Sequence, residues 1–282
     1  MVAAPDMVEA TIHYLAPDSR INRFFWAPEG RYSTVVSIDQ QVAVRNARTA
    51  GHAFTLDAHG FTLIDSPTQV MDFHDHETVK SFYGAEVMEI ARGLTGADFV
   101  LPMGWELRSS AGAENMLPPA AKAHIDYDTA TAHQIADRRY RKARPDGPGY
   151  DRFILFSLWR TFSPGPQDWP LALCDYESAK DDLEVRCVKI DVEQLPVGDG
   201  VFAPIEGEER MGASGMFTYN PAHRWWFYPD MTRAECVFIK FHDSDHSRAW
   251  RALHTAFHDT ATPGTRPRES IEFRGCAYFS KK

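Results

Sequence analysis

The 282-residue chain is short of cysteine, short of positive charge, and lacks any long apolar run. Its four cysteines (Cys174, Cys187, Cys236, Cys276) form no Cys-x-x-Cys pair and lie in apolar stretches. That argues against a structural zinc site and reads instead as buried small hydrophobes. Lys and Arg number 30 against 39 Asp and Glu, a net charge of −9, so the basic face of a nucleic-acid binder is missing. Nothing approaches 18 consecutive apolar residues, which excludes a membrane-spanning helix. Near the start, Asp6 and Glu9 stand where a signal peptide needs positive charge, so a cytoplasmic protein is the expectation. Internal repeats and low-complexity segments are absent.

What is present is apolar and aromatic. Hydrophobic residues make up 44% and aromatics 12%, with seven Trp and 18 Phe, enough for a large core built from flat rings. The first hundred residues read as mixed α+β. Phe61 to Ile64 forms a short strand after a turn at His59-Gly60. Val79, Phe82, Tyr83, Val87, Ile90 and Ala91 recur at helical spacing, predicting a helix over 77–95 that Gly96 ends. A strand over 97–107 and a helix over 129–143 come next. After the turn at 145–149 the character changes to short strands near 152–160, 171–175, 184–190, 224–228, 235–241 and 270–279, separated by Pro, Gly and Asp. Such a series predicts a mainly β (α+β) sandwich or barrel in one domain spanning 1–282. Residues 1–96 are expected to pack on a barrel core formed by 97–282.

His124-Ile125-Asp126 is the most informative triplet. Chance alone gives roughly 1.7 His-x-acid matches in this composition, and the chain has one. Its weight therefore comes from the ordered set of residues it begins. His254 lies far downstream, and Arg268-Glu269-Ser270 comes closely after it. Two imidazoles and one carboxylate on one face of a metal make the facial triad of non-haem Fe(II) oxygenases, which leaves room for a chelating cosubstrate and O2. If the chain is extended at the triplet, residues 124 and 126 point the same way. The competing reading is a surface His and an Asp that caps the next helix. His254 reads as strand, whereas His258 already belongs to a turn, so His254 is the preferred third ligand. His246 is a further competitor, while His223 and His242, at strand edges, read as ordinary polar residues.

An Arg-x-Ser pair on the last strand suits the far carboxylate of 2-oxoglutarate, through a guanidinium fork and a hydroxyl. Arg268 and Ser270 are the candidates, Arg274 the substitute. Arg160 ends a very apolar strand and needs an anionic partner, either an acid such as Asp175 or an oxoacid ligand. The run His74-Asp75-His76-Glu77 looks like a metal site but fits helix capping better. Trp105, Trp159, Trp225 and Trp226 are candidates for a substrate wall, with core packing as the plainer role.

These residues, with Leu56–Phe61, Asp72-Phe73, Tyr127, Leu158–Arg160, Pro170–Asp175, His223–Thr232, His254–Phe257 and Arg268–Arg274, resemble the family of the cephamycin C7-hydroxylating component. That family includes fungal hydroxylase/desaturases of secondary metabolism, gibberellin desaturases among them. The resemblance covers nearly the whole chain. It implies a double-stranded β-helix (jelly-roll, cupin-like) core with flanking helices, and Fe(II), 2-oxoglutarate and O2 as cofactor and cosubstrates. Hydroxylation or desaturation of a small molecule, with release of succinate and CO2, is the implied reaction. The rival expectations are a cupin-like metal enzyme that does not use 2-oxoglutarate, and a non-catalytic barrel that binds a small molecule.

Overall fold

The computed structural model describes residues 5–280. The first part holds β1 (Met7–Leu15), β2 (Arg23–Ala27), β3 (Gly30–Ser33), β4 (Ser37–Asn46), a short helix α1 (Leu56–His59) and β5 (Phe61–Asp65). A helical segment then runs through α2 (His76–Thr78), a π-helical turn (Val79–Tyr83) and α3 (Gly84–Thr95), succeeded by β6 (Phe99–Ser109), β7 (His124–Ile125) and α4 (Thr129–Ala143). The remainder is β8 (Tyr150–Thr161), β9 (Leu171–Cys174), β10 (Val185–Asp191), β11 (Ala213–Met216), β12 (Trp225–Phe227), β13 (Glu235–Asp243), β14 (His254–Ala256) and β15 (Glu269–Ser280).

These strands form two sheets. The larger has ten strands in the order β1-β4-β12-β9-β14-β7-β11-β10-β2-β3, and the smaller has five in the order β5-β13-β8-β15-β6. Most neighbours are antiparallel, while β10/β2 and β12/β4 are parallel.

β8 shows why the layers stack as they do. Side chains alternate across a strand, so Phe153, Leu155 and Trp159 join one core, with Leu173, Tyr228, Ile239 and the α4 residues Ala132 and Ala136. The intervening Ile154, Phe156 and Leu158 join a second core with Val79, Tyr83, Val87 and Ala91 of the helical segment. One face of the smaller sheet therefore meets the larger sheet and α4, and the other carries α2–α3. A third core, with Ile12, Tyr14, Val44, Phe217, Trp225 and Phe257, covers the opposite face of the larger sheet. Along β15 the pairing slips between Arg274 and Gly275. A Cβ on Gly275 would stand 2.5 Å from the Phe156 ring, so glycine lets β15 and β8 approach at this bulge.

The helix expected over 77–95 is present, capped at Gly96 in the left-handed region, but a π-helical turn interrupts its first half. α4 occupies the expected 129–143. The N-terminal residues do more than pack on a barrel formed by 97–282. β1, β2, β3 and β4 extend both ends of the larger sheet, and β5 pairs with β13. β1 alternates between buried and more exposed residues from Val8 to Tyr14, whereas polar residues occupy many facing positions in β4 and weaken its alternation. All four cysteines are free and buried.

Candidate metal centre and its cleft

Two very short strands bring distant residues together. β7 and β14 pair so that His124 and His254 are register partners. On its other side β7 pairs with β11, where a Cβ on Gly215 would come within 2.7 Å of Ile125. Asp126 comes directly after β7. Asp128, not Asp126, caps α4: its carboxylate accepts from the Thr131 amide at 2.8 Å. Asp126 is thus spared for other work.

His124 Nε2 and His254 Nε2 lie 3.4 and 3.5 Å from the same atom, Asp126 Oδ1. Among the described residues this is the one group of three His, Cys, Asp or Glu donors whose ligand atoms all lie within 4.8 Å of one another. Both imidazoles are oriented alike. His124 Nδ1 donates to the Lys122 carbonyl at 2.6 Å, and His254 Nδ1 to the Ala252 carbonyl at 2.9 Å. A carbonyl only accepts, so each Nδ1 holds the proton and each Nε2 presents its lone pair toward the shared point. Phe241 stacks on His254 with ring centroids 5.7 Å apart and fixes its plane.

The electrostatics favour a cation at that point. Burial pushes the Asp126 carboxyl up, but Arg274 and the two adjacent imidazoles outweigh it and hold it well below the usual range. Burial lowers His124, and the neighbouring His254 lowers it further. His254 moves the other way, because the adjacent Asp126 carboxylate overcomes the effect of burial. An ionised Asp126 beside a neutral His124 suits a divalent metal, whose ligands must be deprotonated.

Both histidines face a cleft lined also by Arg108, Ser157, Trp159, Leu171, Ile239, Arg268 and Glu272. Arg268 is 1% exposed. Its Nη1 donates to the Trp169 carbonyl, while its Nε has no partner. Two residues along, the Ser270 hydroxyl is also buried without a partner. Burial brings the Arg268 pKa down to about 9, so an anion beside this guanidinium would be strongly favoured. An oxoacid carboxylate fits the donor set.

Arg160 does not belong to this cleft, contrary to its candidacy as a cosubstrate ligand. Alternation along β8 sends Ser157 and Trp159 into the cleft and Arg160 to the opposite face. There it donates to Tyr83 Oη at 3.0 Å and to the carbonyls of Ser66 and Arg233. Asp175 pairs with Arg224 instead. Arg274 pairs with Asp126 and Glu272. His258 stacks on Trp169, and His223 bonds Tyr14 and Asp182. Asp75 caps α2 through the amides of Glu77 and Thr78. Of the four tryptophans, only Trp159 lines the cleft; Trp225 donates to Tyr14 and Trp105 stacks on Phe273. Sequence reading missed Ser157, Arg108 and Lys189, whose Nζ donates to the Asp126 carbonyl. Ser157 had a signal, as the lone polar residue inside Phe153–Trp159.

Comparison with known proteins agrees with this geometry. A family model described as an oxidoreductase/YMDC permease-like domain matches residues 12–278. The chain is 31% identical over 257 residues to the hydroxylase/desaturase efuI of Hormonema carpetanum, covering 85% of this chain and 83% of the relative. It is 27% identical over 253 residues to the Fe(II)/2-oxoglutarate-dependent dioxygenase nvfI of Aspergillus novofumigatus, with 85% and 83% covered. A solved structure of a variant of the iron and alpha-ketoglutarate-dependent endoperoxidase NvfI superposes with a TM-score of 0.80 at 22% identity, covering 100% of both chains. The two share a fold. No helix among the described residues is long and apolar enough to cross a membrane.

Proposed function

The chain belongs to this oxidoreductase family and is an Fe(II)- and 2-oxoglutarate-dependent oxygenase, and from that premise we propose that His124, Asp126 and His254 hold the iron while Arg268 and Ser270 hold 2-oxoglutarate. When bound, Fe(II) with 2-oxoglutarate and O2 supplies the oxidising power for a substrate C–H bond, with succinate and CO2 as co-products. The protein's own part is orientation and exclusion of water. His124 and His254 offer Nε2 lone pairs because the carbonyls of Lys122 and Ala252 fix their tautomers. Arg268 meets the far carboxylate with its fork, and Ser270 adds a hydroxyl donor. Trp159, Leu171 and Ile239 make the cleft wall apolar, which strengthens both contacts.

The observation that carries this reading is the pairing of three convergent donors with a buried, partly unsatisfied guanidinium in one cleft. The substrate is a small organic molecule, and we place it among secondary metabolites that are hydroxylated or desaturated. The hydroxylase/desaturase relatives support that choice. We further read the two sheets as a double-stranded β-helix, the chain as one domain, and the setting as cytoplasmic, in keeping with four free buried thiols.

The test is succinate release from 2-oxoglutarate under air, with NMR of reactions on a panel of small terpenoid, polyketide and β-lactam substrates. Fe(II)-dependent succinate formation that the right substrate accelerates is expected. Folded, iron-loaded protein that forms no succinate with or without substrate would overturn the proposal.

A further inference from the structure

Asp126 has two carboxylate oxygens, and they face different partners. Oδ1 is the atom that both imidazole Nε2 atoms approach. Oδ2 is 3.0 Å from Arg274 Nη2. Arg274 is itself held, since its Nε donates to Glu272 Oε1 at 2.6 Å. Glu272 is buried and lines the same cleft as the histidines. The position along the strand matters as well. Glu272 and Arg274 share one face of β15, and the slip in pairing between Arg274 and Gly275 marks where that face ends.

We propose that Arg274, braced by Glu272, is a positioning residue that occupies Asp126 Oδ2 and so makes Asp126 a single-oxygen ligand. The inference rests on the triad as the iron site. A carboxylate with both oxygens free can chelate a dication through two atoms, using a coordination position that 2-oxoglutarate and O2 need. With Oδ2 engaged by the Arg274 ion pair, the chain supplies three donor atoms and no more. Glu272 holds the guanidinium through its Nε, so the ion pair with Oδ2 stays in place when the metal enters. The group is therefore an outer partner of the kind that orients ligands in metal sites. This role differs from that of Arg268, whose guanidinium makes no ion pair within 4.0 Å among the described residues and retains an unpartnered nitrogen.

Cobalt(II) substitution tests the proposal without turnover, because its visible ligand-field absorption reports coordination number. Wild type, His124→Ala, Arg274→Met, Arg274→Lys and Glu272→Gln are loaded with Co2+ in the absence of 2-oxoglutarate, and folding is checked by circular dichroism. His124→Ala should lose tight Co2+ binding, which establishes the triad. Arg274→Met should give an altered spectrum before any cosubstrate is added, and 2-oxoglutarate should then bind roughly 10- to 100-fold more weakly, the range for loss of an orienting partner. Arg274→Lys keeps a donor for Oδ2 and should restore most of the wild-type spectrum. Glu272→Gln should move the spectrum in the same direction as Arg274→Met, and it serves as the readout if Arg274→Met does not fold. Tight Co2+ binding by His124→Ala would sink the triad, and the positioning role with it. An unchanged cosubstrate-free spectrum in Arg274→Met, with His124→Ala behaving as expected, overturns the positioning role alone. If that variant also loses 2-oxoglutarate, Arg274 is a direct cosubstrate contact instead.

Discussion

His124 and His254 are direct register partners across two strands of two and three residues, with ring centroids 4.5 Å apart. Strands this short have little stability of their own. Flanking β9 and β11 hold them in place, through pairs such as His254 with Leu173 and His124 with Met216. The placement of the two imidazoles is therefore set by the middle of the larger sheet, and Asp126 joins them from the bend that directly follows β7.

His124→Ala, Asp126→Ala and His254→Ala should each abolish Fe(II)-dependent succinate formation while the far-ultraviolet circular dichroism stays native. Each variant removes one of three protein donors. Near-normal iron binding by His254→Ala would sink the assignment of that ligand. His258, stacked on Trp169 and outside the cleft lining, is not expected to replace it.

Arg268→Ala should raise the 2-oxoglutarate requirement roughly 10- to 150-fold, since a buried carboxylate loses a charge-assisted bond of about 1.5–3 kcal/mol. Iron affinity should change little. Arg160→Ala should do the reverse, leaving the 2-oxoglutarate requirement alone and lowering the melting temperature, because buried Tyr83 and two partly buried carbonyls lose their donor. Titrations of 2-oxoglutarate on both variants decide between these anchors.

A different histidine should govern acid stability. His242 is fully buried, stacks on Phe153, and has no hydrogen-bond partner at either nitrogen. Burial, then His133 and His246, bring its pKa down from 6.5 to about 3. The unfolded chain takes up a proton below 6.5 and the folded chain does not, so this contribution is whole above 6.5. It is lost as the pH falls toward 3, at about 1.4 kcal/mol per unit. His242→Phe keeps the stacked ring and removes the titration. Urea unfolding at pH 7 and pH 5 should show a smaller loss for His242→Phe than for wild type, and equal losses would contradict the assignment.

A fragment of residues 149–282 should be insoluble or unfolded. It would lack β5 and β6, the two edges of the smaller sheet, and would also lack His124 and Asp126. A soluble fragment with a cooperative melt would show that 145–149 is a domain junction.

The legible parts of the fold were those where burial imposes a clean period. α4 and β8 stood out because their apolar residues repeat at 3.6 or run without a break, and β15 because polar and apolar residues alternate from Ser270 to Arg274. β4 did not, since its polar and apolar residues fail to alternate strictly, and nor did β11, four small or apolar residues in a glycine-bearing loop. β1 alternates from Val8 to Tyr14 and was overlooked. At the site, order and residue type were enough to single out His124, Asp126, His254, Arg268 and Ser270 as candidates. The misplacement of Arg160 has a simple cause. A continuous apolar strand buries both faces, so composition gives no sign of which face meets the cleft. The Arg274–Asp126 contact was equally hidden, because it depends on β15 and β7 meeting across the two sheets.

Iron on this triad is expected to be chelated by 2-oxoglutarate. Anaerobic addition of Fe(II) and then 2-oxoglutarate to the purified protein tests it most directly, by visible absorption. A weak charge-transfer band should appear only when both are present, vanish in His254→Ala, and need more 2-oxoglutarate in Arg268→Ala. A protein that binds Fe(II) tightly yet develops no band at saturating 2-oxoglutarate would contradict the account.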